Sequence, residues 1–188
     1  MNVTDKNIEE KLEYAKDLVI NSISETMDLY GVTPSVGRLY GAMFFHQHPM
    51  TLDEMKDELG MSKPSMSTAV RNLQENEMVQ KSWKKGSRKD MYTAEKDFFK
   101  NFIHFFCKKW EKEVHVNEEA SYKAQKLLME IIEDPEASLE VRESAQSYYN
   151  SIEESLVYYK WLERLVNSCR SGKIFEFLPK EETNEEKK

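Results

Sequence analysis

Pro64, Ser67, Thr68 and Arg71 are spaced three and four residues apart, and Met66, Ala69, Val70 and Leu73 interleave with them at the same period. On one helix the two sets fall on opposite faces, one apolar and one polar. An Arg guanidinium can chelate the two acceptors on a guanine edge, while Ser and Thr hydroxyls bond bases or phosphates. Such a face suits a nucleic-acid groove and suits plain solvent equally well, so this helix alone does not choose between them. Lys63 just before it, and Lys84, Lys85 and Arg88 further on, add cations that can hold phosphates.

The flanking residues say how this face would be positioned. Thr51-Leu-Asp-Glu54 has the spacing of a capping box, in which hydroxyl and carboxylate each satisfy a free donor at a helix start. That helix should stop at Gly60, where a left-handed residue costs little. Ser62 then caps a second helix with Pro64 in its first turn, where a missing N–H does no harm. Two helices joined by so short a turn form a helix-turn-helix. Val79–Trp83 and Arg88–Thr93 read as two strands around Lys84-Lys85-Gly86-Ser87, a hairpin with a basic tip. A hairpin directly after a recognition helix is a wing, whose cations contact phosphates or the minor groove. Three elements in this order favour a groove over solvent for the polar helix face.

Charge is distributed to match. The 188-residue chain carries a formal charge of −7, which by itself argues against nucleic acid. From Met61 to Thr93, however, seven Lys/Arg face three acids, a net +4 that leaves −11 for the remainder. A basic island on an acidic body orients a protein on DNA, and its binding should weaken steeply with salt.

The predicted fold is mostly α: a winged helix-turn-helix with a small β-hairpin wing and long flanking dimerisation helices. Residues 1–33 form an N-terminal dimerisation helix, 34–94 the DNA-binding domain, 95–178 a C-terminal helical region for dimerisation and ligand sensing, and 179–188 a disordered tail. Helices are expected from about Asp5 to Tyr30, from Thr33-Pro34 to about His46, from Ala94 to Val116, through Lys126 to Glu133, and from about Ser138 to Ser171. Phe98, Phe102 and Phe105 mark one side of the third of these, with Phe99, Ile103, Phe106 and Trp110 on a second. An apolar arc so broad needs more than one partner, and the economical second partner is another copy of the chain. A two-fold dimer would set two recognition helices about one DNA turn apart on a palindromic operator. No apolar run approaches the ~20 residues that span a bilayer, and no signal peptide is recognised. Two cysteines, Cys107 and Cys169, fit a reducing cytoplasm better than a disulfide framework. Phosphate loop, nucleophile elbow and dinucleotide fingerprint are all missing, so no enzyme and no cofactor are expected.

The segments Pro34–Gly41, Pro49–Asp53, Gly60–Lys63, Lys85–Asp90, Tyr158–Leu165 and Ser171–Pro179 together resemble the MarR type of repressor. More narrowly they are similar to its GbsR-type branch, the choline-responsive repressors of glycine betaine synthesis and choline uptake. The similarity spans nearly the whole chain. Its earlier motifs are shared with other winged-helix relatives and speak for the fold; the final one is more specific. The resemblance implies a dimeric cytoplasmic repressor relieved by choline, with glycine betaine as a possible antagonist.

Choline carries a permanent cation that cannot donate hydrogen bonds, so a site must surround it with aromatic faces, each worth roughly 0.5–2 kcal/mol. On the last helix Leu156, Tyr159, Leu162 and Val166 occupy the central apolar face, with Tyr158, Trp161 and Leu165 at one margin. Rings at a margin can line a pocket, which favours Trp110, Tyr158 and Trp161, with Tyr159 behind them. Rings at helical spacing also serve as core, and Tyr40, Trp83 and Tyr92 offer a second possible wall.

Other regulators remain open. Cys107 could be an oxidation sensor, although a thiol among Phe105, Phe106 and Trp110 is usually inert. His46 and His48, or His104 with Cys107 and His115, supply too few ligands for a metal site, and none is expected. A winged-helix protein that binds DNA without sequence preference or ligand is a further alternative.

Overall fold

The structure is a computed structural model that describes residues 3–83 and 89–181. Lys84, Lys85 and Arg88, expected at the wing tip, and most of the expected C-terminal tail lie outside the described residues. The chain divides into two compact units, Met1–Phe102 and Ile103–Lys188.

The first unit opens with α1 (Val3–Thr26), which tightens into a 3-10 turn at Met27–Tyr30 and stops at Gly31 in the left-handed region, φ 70°. Thr33 leads into α2 (Pro34–Phe45), with Pro34 in the first turn as expected. These two helices approach closely because α2 presents Gly37 and Gly41, one turn apart. A Cβ on Gly37 would lie 2.7 Å from the Cβ of Met27, and one on Gly41 would lie 3.2 Å from the Cα of Ile20. Ser24 Oγ adds a hydrogen bond to the Pro34 carbonyl at 2.7 Å.

Next come β1 (Met50–Thr51), α3 (Leu52–Leu59), α4 (Lys63–Glu75), β2 (Val79–Ser82) and β3 (Met91–Ala94). The strands form one antiparallel sheet in the order β1-β3-β2. The hairpin strands pair Val79 with Ala94 and Ser82 with Met91. The third strand was not anticipated: Met50 and Thr51 pair with Tyr92 and Met91, tying the entrance of α3 to the wing. All of these elements close on one core that includes Leu39, Tyr40, Met43, Met55, Met66, Val70, Leu73 and Val79.

The second unit is dominated by two helices. α5 runs unbroken from Phe98 to Glu133, which corrects the expectation of one helix from Ala94 to Val116 and another ending at Glu133. Ala94 is the last residue of β3, and the helix starts only after Asp97, whose carboxylate accepts from the amides of Phe99 and Lys100 at 2.9 and 3.2 Å. Nothing between Val116 and Lys126 breaks the helix, since neither Gly nor Pro occurs there. Asp134-Pro135 ends it, and Ser138 caps α6 (Leu139–Arg170) by accepting from Val141 N. A four-residue α7 (Ile174–Phe177) follows Gly172, which has φ 77°. Among the described residues no helix is long and apolar enough to cross a membrane.

Candidate nucleic-acid interface

The polar face of α4 is held by caps at both ends and by anchors beneath. Thr51 accepts from the Glu54 amide at 3.3 Å while the Glu54 carboxylate accepts from the Thr51 amide at 2.6 Å, completing the capping box on α3. Gly60 ends α3 at φ 65°, and Ser62 Oγ accepts from Ser65 N to start α4. Met66, Ala69, Val70 and Leu73 are all buried, as their spacing predicts. α4 leaves through Glu77 at φ 55°, and the Met78 amide returns to the Leu73 carbonyl at 2.9 Å. That turn aims the chain straight into β2.

The opposite face is open. Lys63, Pro64, Thr68 and Arg71 are exposed and Ser67 is half-buried. The structure thus brings the five described DNA-contact candidates together on one helix. Arg71 forms no ion pair or hydrogen bond among the described residues, so its guanidinium stands available. Lys63 does not: its Nζ lies 2.7 Å from Asp53 Oδ1, and Lys89 Nζ lies 2.9 Å from the other oxygen of the same carboxylate. These two ammonium groups hold the Asp53 carboxyl down at about 2. Lys81 pairs with Asp90 at 2.8 Å and lies over the Trp83 ring, which is 84 % exposed. The spacing rules used for α4 could not foresee the Asp53 bridge, because its residues come from α3, from α4 and from the bend two residues ahead of β3.

One polar network is buried behind the wing. Tyr40, fully enclosed, donates its hydroxyl to the Glu95 carbonyl at 2.7 Å and accepts from Asn101 Nδ2 at 2.8 Å. Burial pushes the Tyr40 hydroxyl up to about 12. Tyr40 is therefore core, which removes it as a ligand wall. Tyr92 packs against the same core, and Trp83 is exposed.

In the second unit the four rings expected to hold a ligand separate into two groups. Tyr158 stacks on Trp161 with centroids 6.2 Å apart and meets Tyr159 edge-on at 5.2 Å. Trp110 instead packs on Phe106 at 6.0 Å and against a small cluster of Cys107, Val166 and Cys169. Tyr158 and Trp161 are 45 % and 49 % exposed, an open platform rather than an enclosed cage. Both thiols are buried, and burial pushes each of them up from its ordinary value. His46 Nε2 lies 2.6 Å from Glu58 Oε2, and no cluster of three metal-ligating side chains occurs among the described residues. Arg170 forks onto Glu111 with contacts of 2.8 and 2.7 Å, pinning the end of α6 to α5.

A family model described as the C-terminal helical hairpin of GbsR family transcriptional regulators matches residues 98–176. The chain is 50 % identical to the HTH-type transcriptional repressor GbsR of Bacillus subtilis, across 90 % of this chain and 94 % of that one. It is 34 % identical to the HTH-type transcriptional repressor OpcR of the same organism, across 90 % and 91 % of the two chains. Among solved structures, a crystal structure of a transcriptional regulator aligns with a TM-score of 0.44 and 16 % identity, over 78 % of this chain and 99 % of that one.

Proposed function

Because the chain belongs to the GbsR family of transcriptional regulators, we propose that it is a dimeric, sequence-specific DNA-binding repressor of choline uptake and glycine betaine synthesis genes, released by choline. The observation that carries the DNA half is the exposed face of α4, set on four buried anchors and followed directly by a sheet. In this reading Ser67, Thr68 and Arg71 address base edges in the major groove with Pro64 alongside, while Lys63 and the wing cations Lys84, Lys85 and Arg88 hold phosphates. Repression is the function named for both Bacillus subtilis relatives.

Dimerisation is supported by apolar surface left exposed among the described residues. Ile8, Leu12 and Leu18 on α1 are each more than half exposed, as are Leu127 on α5 and Val157 on α6. Surfaces of this kind, repeated along long helices, are what a two-fold partner buries. The choline half rests on the family resemblance and on the Tyr158–Tyr159–Trp161 group, with Trp110 as the further ring. Ring faces attract a quaternary ammonium without hydrogen bonds. Choline then acts by binding better to a conformation whose recognition helices are misplaced for the operator. Cysteine oxidation is the weaker switch, because both thiols are buried and held protonated.

A tryptophan-fluorescence titration with choline, with ethanolamine as the unmethylated control, tests the ligand. The expected result is a saturable change with choline alone. Silence in fluorescence and again in calorimetry would remove choline and leave the DNA assignment standing.

A further inference from the structure

Asp53 sits in the first turn of α3, where an acid is favoured, and its carboxylate reaches both the first residue of α4 and Lys89, two residues before β3. Lys63 Nζ binds one oxygen at 2.7 Å and Lys89 Nζ binds the other at 2.9 Å. The lysines remain largely open to solvent, with side chains 54 % and 66 % exposed, so the bridge lies at the surface. The nearby Glu54 carboxylate takes the Thr51 amide and hydroxyl on one oxygen at 2.6 and 2.8 Å, as part of the α3 capping box.

Two ammonium groups around one small bidentate anion match the way a DNA phosphate is held, with each non-bridging oxygen taking one cation. The anion here belongs to the protein. With Asp53 in place the trio carries a net single positive charge; without it, two. We propose that Asp53 stands in for a backbone phosphate, that Lys89 joins Lys63 in clamping that phosphate when duplex binds, and that Asp53 thereby acts as an electrostatic brake on DNA affinity. Binding must exchange carboxylate for phosphate at the two lysines and leave Asp53 facing the duplex unpaired. Both effects weaken binding, and neither depends on base sequence.

The inference rests on the DNA-binding function above, and salt-dependent affinities of variants separate the two. Purified dimer would be titrated against a mixed-sequence duplex and against the tightest duplex recovered by selection, over a series of salt concentrations. Asp53→Asn should bind both duplexes about three- to tenfold more tightly at low salt, the scale of one or two exposed charge pairs. Its log–log salt slope should steepen by about one, as for one more phosphate contact. Lys89→Met should do the reverse, weakening both duplexes and flattening the slope by about one. Thermal melts of each variant check folding. If Asp53 only fastened the wing to the helices, the melting temperature would fall while the salt slope stayed fixed, and the inference would be wrong. Unchanged or weaker binding by Asp53→Asn would overturn it, as would tightening confined to the selected duplex. Should the substitution unfold the protein, a salt slope unaltered in Lys89→Met would overturn it instead. If the unmodified chain bound no duplex at any salt, the DNA assignment itself would fall.

Discussion

The winged-helix elements from α2 to β3 and the helical hairpin treat their apolar residues in opposite ways, with α1 sharing the hairpin's exposed apolar surface at Ile8, Leu12 and Leu18. In the first, helix, sheet and turn close on a continuous core in which Leu39, Tyr40, Met55, Met66 and Leu73 are entirely enclosed. In the second, the tightest cluster is Cys107, Val166 and Cys169, while Tyr122, Leu127, Tyr148, Val157 and Trp161 each stand about half exposed or more. Two long helices joined by a short turn have too few neighbours to cover both flanks of each. The winged-helix core is closed within one chain, whereas the hairpin leaves apolar side chains exposed along both long helices. Under the function proposed above, a second copy and choline would cover part of that surface.

Breaking the closed side of this contrast should have the largest effect. Leu73→Ala removes a fully buried side chain beneath the recognition helix and should cost about 2–5 kcal/mol in chemical denaturation, since the surrounding core cannot collapse around the void. A loss below about 1 kcal/mol would mean that the core is not closed.

A smaller effect is expected from Tyr40→Phe, which removes the hydroxyl between Asn101 Nδ2 and the Glu95 carbonyl and leaves those two only their long mutual contact of 3.4 Å. The expected cost is about 1–3 kcal/mol at neutral pH. The parent protein should also lose stability in alkali. The Tyr40 hydroxyl is raised from 10.0 to about 12, so its contribution is whole below pH 10 and disappears as pH rises through 12. Tyr40→Phe should lack that component of the alkaline transition. Identical alkaline profiles would show that Tyr40 is not held neutral by the fold.

On the open side, Trp161→Ala should change stability without ligand by less than about 1 kcal/mol, because the ring is already half exposed. Choline binding, followed by calorimetry, should be lost. Full retention would move the site to other rings.

The same contrast explains how far the sequence could be read. The caps at Thr51, Gly60 and Ser62 and the buried stripe of α4 follow local rules, which depend on residues one turn apart. β1 escaped because two residues carry no periodicity, and it exists only through its pairing with β3. Asp53, Lys63 and Lys89 escaped because α3, α4 and the bend ahead of β3 must assemble before one carboxylate meets two ammonium groups. In α5 the aromatic run suggested an end near Val116, yet a helix continues wherever no breaker intervenes, and none occurs before Asp134-Pro135. The ring platform was least legible. Spacing places Tyr158 and Trp161 at the margin of a face, but whether a margin becomes a pocket depends on what lies against it.

Selection of duplexes from a random pool, with and without choline, tests the central claim most directly. A choline-released repressor should enrich a palindrome whose half-sites are about one helical turn apart, and choline but not ethanolamine should release it. A pool that stays unenriched would contradict sequence-specific recognition, and an enriched palindrome indifferent to choline would contradict the switch.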